Sequence, residues 1–208
     1  MKRTAEAVII GGGCMGASVA FHLARRGMTD VTLVEREAML GTGSTGRNAG
    51  GVRHQFSSEA NIRLSIESIR MLAHFQEEVG VEIDFHQDGY LFLLSSPSSV
   101  ETFQQNVGLQ RACGVDVQWL DAADAARLAP GIDVAGVLGA TFCHEDGIAD
   151  PNGVTMGFAK AAQELDKLAQ SPDGAVALID GLVACGVPEV VVPHARRLRL
   201  VVVLHLQL

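Results

Sequence analysis

A short apolar run followed at once by closely spaced glycines is the feature that most constrains this chain. Residues 7–10 are apolar and partly β-branched, which predicts a buried parallel strand. Over residues 15–26 the apolar positions recur at helical spacing, and Gly27 predicts a left-handed cap at the helix end. Residues 31–34 predict a second buried strand. The order is that of a βαβ unit with a right-handed crossover.

The glycines between the first strand and the helix fit the pattern G-x-G-x-x-G at Gly11, Gly13 and Gly16. In such a unit the first glycine permits the tight turn, the second lets a pyrophosphate approach the backbone, and the third brings helix and strand close together. Glu35 lies at the tip of the second strand, where a carboxylate can accept hydrogen bonds from the ribose hydroxyls of an adenosine. The alternative is an ordinary glycine-rich turn; the flanking strand, helix and acid favour a dinucleotide site.

A second glycine cluster spans residues 41–51 and reads GTGSTGRNAGG. Ser44, Thr45 and Asn48 add small polar side chains to a loop already rich in backbone donors, which suits a second contact with phosphates and a flat ring. A flexible linker is the alternative, but Arg47 is unusual in a mere spacer. A nicotinamide-binding dehydrogenase would explain the first cluster and leave this one unexplained.

Together these stretches resemble the FAD-dependent oxidoreductases of the D-amino-acid oxidase type, with the closest likeness to proteins similar to the sarcosine oxidase beta subunit. The likeness covers about residues 5–165 and is carried by VIIGGGCMGASVAFHLARRG, VTLVERE, GTGSTGRNAGG and EDGIADPNGV. It implies FAD as the cofactor. The residues predicted to contact it are Gly11, Gly13, Met15, Gly16, Glu35, Arg36, Ser44, Thr45, Arg47, Asn48, Gly50 and Gly51.

The resemblance also implies the fold class, an α/β protein with a Rossmann-like FAD-binding domain and an inserted α+β portion of a substrate domain. On this reading residues 1–80 begin the FAD-binding domain and residues 81–147 belong to the substrate domain. Residues 148–166 form a helix that returns to the FAD-binding domain, capped by Asp150 with Pro151 in its first turn. Further helix caps are expected at Ser57 or Ser58, for a helix that Gly80 ends, at Ser98 or Ser99, and at Asp121.

The implied reaction is oxidation of the C–N bond of a secondary amine or amino acid, such as sarcosine, by hydride transfer to flavin N5. A substrate carboxylate would need a cation, ideally an arginine that binds it with two hydrogen bonds. Arg53 and His54 are the candidates near the ring, with structural roles as the alternative. No covalently attached flavin is predicted. A catalytically silent FAD-binding subunit that needs a partner chain is the second hypothesis for function.

Composition excludes several other classes. The formal net charge of −8 argues against a nucleic-acid partner, and no stretch has the roughly 20 apolar residues of a membrane span. The four cysteines form no C-x-x-C pair, which indicates free thiols and a cytoplasmic protein. Residues 144–146 read His-Glu-Asp, and we interpret them as a polar turn; no metal site is predicted.

The pattern changes after residue 165. Residues 167–208 lack the family's continuation, and the valine-rich run at residues 201–206 predicts an edge strand. We expect a truncated chain, with a frame-shifted end as one explanation and a compact tail domain as the alternative.

Overall fold

The computed structural model describes residues 5–28, 30–165, 168–170 and 200–203. They form the elements β1 (Ala7–Ile10), α1 (Cys14–Arg25), β2 (Val31–Val34), α2 (Ser44–Arg47), β3 (Gly51–Val52), α3 (Glu59–Ala73), α4 (Phe75–Val79), β4 (Phe85–His86), β5 (Tyr90–Leu94), α5 (Pro97–Ala112), β6 (Val117–Leu120), α6 (Ala122–Leu128), β7 (Gly139–Cys143), β8 (Gly147–Ala149), α7 (Pro151–Glu164), β9 (Leu168–Gln170) and β10 (Leu200–Val203).

The chain divides into two compact units. The first unit contains residues 1–49, 79–83 and 150–208, and the second contains residues 50–78 and 84–149. These units are defined by packing. The predicted FAD-binding and substrate-domain portions are defined by their roles, and their boundaries stay a prediction.

The first unit is built on a parallel sheet with the strand order β10-β1-β2-β9. Ala7 pairs with Val31 and, on its other side, with Leu200, so β1 has neighbours on both sides. Ala7 and Ile9 are fully buried, as expected for a strand in such a sheet. The edge strand predicted at residues 201–206 corresponds to β10, an outer strand of the described sheet; residues 204–206 lie outside the described residues.

Helices α1 and α7 pack against each other in this unit. The aromatic rings of Phe21 and Phe158 meet with their centroids 5.5 Å apart. The Asp150 carboxylate accepts hydrogen bonds from the backbone N–H groups of Asn152 and Gly153, so it caps α7 as predicted. The β1–α1–β2 unit and its return helix confirm the predicted Rossmann-like α/β class.

The second unit contains two antiparallel three-stranded sheets, with the strand orders β3-β8-β4 and β5-β7-β6. A cluster of buried apolar side chains joins helices α3 and α5 to the second of these sheets; its members are Ile62, Val107, Val115, Val117 and Cys143. This mixture of helices and antiparallel sheets agrees with the α+β class predicted for the inserted portion.

Two details of the helices differ from the prediction. The helix expected to run from Ser58 to Gly80 is interrupted at His74, which separates α3 from α4. Helix α5 is capped by Ser96 rather than by Ser98 or Ser99, because the Ser96 hydroxyl accepts from the Ser99 N–H. Pro97 explains the earlier start, since a residue without an N–H fits the first turn at no cost. The caps at Ser58 and Asp121 are as predicted.

Among the described residues, none of the helices combines the length and the apolar character needed to span a membrane. The cytoplasmic location stays a prediction.

Candidate functional site

The first glycine turn has the geometry that a close helix-to-strand approach requires. Gly11 has a φ of +104°, in the left-handed region that glycine tolerates, and its N–H donates to the Val34 carbonyl at 2.8 Å. A Cβ added at Gly16 would overlap the carbonyl oxygen of Gly11. The N-terminus of α1 therefore lies directly against the end of β1, and only a residue without a side chain fits at position 16.

Glu35 contacts this turn directly. One oxygen of its carboxylate, Oε2, accepts a hydrogen bond from the Gly12 N–H at 2.6 Å, and the other, Oε1, accepts from the Glu37 N–H at 3.0 Å. The side chain is only partly buried. Each carboxylate oxygen has a second acceptor position, so the acid can hold the turn and still accept from another hydroxyl group.

The second glycine cluster lies against the first. The Gly41 N–H donates to the Gly12 carbonyl at 2.9 Å, and the Thr45 hydroxyl accepts from the Cys14 N–H at 3.1 Å. A Cβ added at Gly13 would lie 2.8 Å from that hydroxyl. Cys14 and Thr45 are 31 residues apart along the chain, and the two clusters thus meet at the positive end of the α1 dipole.

A cavity of about 1010 Å³ lies within the first unit, beside this meeting point. Its wall includes the apolar residues Leu33, Leu40 and Met156 and the charged residues Glu35 and Lys160. A mostly apolar recess with a few polar groups is the usual form of a small-molecule site.

The other predicted ligands of this unit are more exposed. Arg36 forms an ion pair with its neighbour Glu37 at 3.1 Å, and Met15 is 53% exposed at the first turn of α1. Ser44 and Arg47 are exposed on the short helix α2. The exposed Asn48 side chain donates to the carbonyls of Ser44 and Thr45, which holds the end of α2 in place. Their contacts with a cofactor stay predictions.

In the second unit, Gly50 is buried with a φ of +79°, and a Cβ there would overlap the carbonyl oxygen of Ala149. Gly51 is exposed, and a Cβ there would lie 3.0 Å from the ring of Tyr90. The backbone of this segment therefore packs closely on its neighbours within the unit, which is a structural reason for both glycines. A role beside a flavin stays a prediction.

Arg53 is held by aromatic rings. Its guanidinium carbon lies 5.1 Å from the ring centroids of both Phe56 and Phe92, within the range of cation–π contacts. None of the ion pairs found among the described residues involves Arg53. The two rings thus orient the Arg53 guanidinium. Its hydrogen-bond donors are not paired with any carboxylate in the described part of the chain.

His54 is buried in a polar network and only 4% exposed. Its ring Nδ1 and its backbone nitrogen each lie 2.7 Å from Oδ1 of Asp146. The second carboxylate oxygen of Asp146, Oδ2, accepts from the Gln55 amide at 2.9 Å. The Thr141 hydroxyl donates to the Gln55 carbonyl oxygen at 2.7 Å, and the Gln55 amide also donates to the Tyr90 carbonyl.

The polar turn predicted at residues 144–146 is therefore only partly right. His144 and Glu145 are exposed, but Asp146 has no exposed surface at all. Its side-chain contacts come from His54 and Gln55, which lie 92 and 91 positions earlier in the chain. No local spacing signals such contacts, although an Asp-Gly pair directly after a strand marks a tight turn.

Three residues of metal-binding type also meet here: His54, Cys143 and Glu145 have ligand atoms within 4.8 Å of one another. The arrangement nevertheless favours a hydrogen-bonded network. Burial together with the Asp146 charge raises the pKa of the Cys143 thiol to about 12. A thiol must lose its proton to bind a metal strongly, so the site opposes that step.

The βαβ turn, its carboxylate and the second glycine loop define a nucleotide-binding α/β protein. Residues 6–170 match the model of the family described as DAO, FAD dependent oxidoreductase. The chain belongs to this family, and the FAD prediction is confirmed at the level of the family.

Among the curated relatives, the mitochondrial dimethylglycine dehydrogenase of Rattus norvegicus is 32% identical over 82% of this chain and 20% of its own length. The mitochondrial sarcosine dehydrogenase of Homo sapiens is 32% identical over 78% of this chain and 18% of its own length. The chain thus spans about a fifth of the length of these two relatives.

Two solved structures of oxidoreductases are also similar to this chain over part of their length. L-proline dehydrogenase from P. horikoshii is 37% identical, with a TM-score of 0.74 over 82% of this chain and 45% of that chain. Glycine oxidase from Geobacillus kaustophilus is 23% identical, with a TM-score of 0.70 over 82% of this chain and 47% of that chain, which shows the fold.

Proposed function

We propose that this chain binds FAD where its two glycine clusters meet, and that it supplies the cofactor-binding part of an enzyme that oxidises the C–N bond of a secondary amine or amino acid. The observation that carries the proposal is the contact between the clusters, from Gly41 to Gly12 and from Thr45 to Cys14. Two glycine-rich stretches of backbone lie side by side at a helix N-terminus, which is an arrangement that suits a diphosphate.

The polar groups around the two glycine clusters fit FAD. The ribose would bind Glu35, whose carboxylate keeps acceptor positions free beside Gly12. The pyrophosphate would lie along the α1 N-terminus and α2. The Thr45 hydroxyl already accepts from the Cys14 N–H, so its own hydrogen is free to point at a phosphate oxygen. Gly13 leaves room for the Thr45 hydroxyl beside the turn, and Arg47 would add a positive charge.

The substrate proposal is supported by the names of the relatives, which refer to dimethylglycine, sarcosine and L-proline. When bound, FAD would accept the hydride released from the carbon beside the substrate nitrogen. The contribution of this chain would be to bind and orient. Arg53, fixed between Phe56 and Phe92, would hold the substrate carboxylate with its planar pair of donors.

The direct test is a titration of the purified chain with FAD, followed by anaerobic addition of sarcosine, L-proline or a D-amino acid. We expect the chain to retain a yellow flavin spectrum after gel filtration, and the absorbance to bleach with at least one of these amines. A chain that retains no flavin contradicts the cofactor proposal. A yellow chain that none of them bleaches contradicts the catalytic proposal and favours the silent subunit.

Replacing Arg53 tests the carboxylate role separately. Loss of a charge-assisted bond corresponds to roughly 1.5–3 kcal/mol, so Arg53→Met is expected to raise the half-saturating concentration of an amino-acid substrate roughly tenfold to a hundredfold. Arg53→Lys keeps the charge without the planar fork and should lose less. The matched comparison is the amide of the same substrate, which lacks the carboxylate. If Arg53→Met weakens binding of the acid and its amide equally, Arg53 does not bind the carboxylate.

A further inference from the structure

The carboxylate of Asp146 is the centre of the buried network, and its contacts converge on one short segment. Oδ1 faces two nitrogens of His54, the backbone N–H and ring Nδ1, and Oδ2 faces the Gln55 amide. These residues directly follow Arg53. We propose that Asp146 is a positioning residue for residues 53–55, and that it holds His54 as the tautomer with the hydrogen on Nδ1. The role of Arg53 in this inference rests on the proposed function.

The tautomer follows from the partners of the carboxylate. The backbone N–H of His54 and the Nε2 amide nitrogen of Gln55 can only donate, and they donate to different oxygens of Asp146. An ionised carboxylate accepts at both oxygens, so it satisfies both partners. Nδ1 lies 2.7 Å from an oxygen that accepts, and this nitrogen must therefore carry the hydrogen. In the neutral ring, Nε2 is left with the lone pair.

The position of the carboxylate is itself fixed. The Asp146 N–H donates to the Cys143 carbonyl at 3.3 Å, and the Asp146 carbonyl accepts from the Gly89 N–H at 2.8 Å. Asp146 and Thr141 have no exposed surface. Water therefore competes little for these bonds, and each is stronger than it would be at the surface.

The segment in turn places the guanidinium of Arg53. The backbone N–H of His54 donates to Asp146. The amide nitrogen of Gln55 donates to Asp146 and to the Tyr90 carbonyl, and its carbonyl oxygen accepts from Thr141. With the chain fixed directly after Arg53, its guanidinium can remain between two aromatic rings. Loss of the Asp146 charge would release residues 53–55. The guanidinium of Arg53 would then move although Arg53 itself is unchanged.

The first experiment determines the His54 tautomer in the ligand-free full chain, from the imidazole ¹⁵N chemical shifts assigned with a His54→Asn variant. We expect the wild type to carry the hydrogen on Nδ1. Asp146→Ala removes both acceptor oxygens and should shift His54 away from this form. Asp88→Asn, which changes an exposed acid in the same unit, should leave it unchanged. A wild-type ring protonated on Nε2 alone, or an unaltered tautomer in folded Asp146→Ala, overturns the proposal.

The second experiment does not depend on Asp146→Ala being stable. An asparagine at position 54 places its amide nitrogen near the position of Nδ1 and can donate to Asp146, whereas leucine cannot. The probe is acetate, with acetamide as the uncharged control, and the readout is the Nε–H signal of Arg53. We expect His54→Leu to weaken acetate binding on the order of tenfold, as expected for a displaced binding group, and His54→Asn to recover most of the loss.

Equal weakening in both variants, or a wild-type Arg53 signal that does not respond to acetate, overturns the positioning role. Failure of the wild type to bind FAD or to be bleached by amines would instead refute the proposed function. Neither the tautomer nor the acetate experiment requires bound flavin, so the two failures are distinguishable.

Discussion

Replacing Gly16 with alanine is expected to lower the free energy of unfolding by about 3 kcal/mol, the upper part of the usual range for overpacking, and to abolish FAD retention. The added Cβ would overlap the carbonyl oxygen of Gly11, which is backbone and cannot rotate away. Relief requires α1 to move off the end of β1. That movement would also displace the N–H groups proposed to face the diphosphate.

The chain offers a matched control for this substitution. Gly108 lies in helix α5, where an added Cβ would meet no atom within 4 Å. Gly108→Ala should therefore raise the free energy of unfolding, by up to about 1 kcal/mol, because alanine favours a helix more than glycine does. Chemical denaturation of both variants checks the pair. Equal effects of the two substitutions would contradict the close approach of α1 to β1.

The parts of the fold that the sequence predicts correctly are those set by neighbouring residues. The β1–α1–β2 unit follows from an apolar run, a glycine turn and helical spacing, all within residues 7–34. The cap at Asp150 follows from the proline beside it. In each case the residues that decide the structure are close together in the chain, so their pattern can be recognised in the sequence alone.

The helix details that differ have equally local causes, but the sequence leaves several outcomes open. Ser96, Ser98 and Ser99 all offer a capping hydroxyl, and the preference of Pro97 for the first turn decides for Ser96. The interruption at His74 occurs without a glycine or a proline. There the His74 N–H bonds to the carbonyls of Arg70 and Met71 and closes the last turn of α3.

The buried network of Asp146 could not be predicted, because its existence depends on tertiary pairing. Thr141 and Cys143 lie on β7, which pairs with β5 and brings Tyr90 opposite Cys143. Only that register places the end of β7 beside His54 and Gln55. Arg53 and His54 are visible as candidates from their types alone, and the carboxylate that holds the segment becomes visible only in the fold.

Glu35→Gln is expected to reduce FAD affinity roughly tenfold to a hundredfold and to destabilise the ligand-free chain as well. The second effect distinguishes Glu35 from a residue that only binds the cofactor. The two carboxylate oxygens accept from the N–H groups of Gly12 and Glu37. Glutamine has one acceptor oxygen and an amide nitrogen that can only donate, so one of these N–H groups must lose its partner. A hydrogen bond to a charged group contributes roughly 1.5–3 kcal/mol, which sets the scale of both effects.

The two effects of Glu35→Gln are measured separately, by thermal unfolding without FAD and by fluorescence titration with FAD. Glu101→Gln, at an exposed position of α5, is the control for loss of one negative charge and should change neither quantity measurably. Lower stability with unchanged FAD affinity would mean that Glu35 only supports the glycine turn. Because the ribose contact and the turn contact use the same carboxylate, the proposal requires both quantities to fall together.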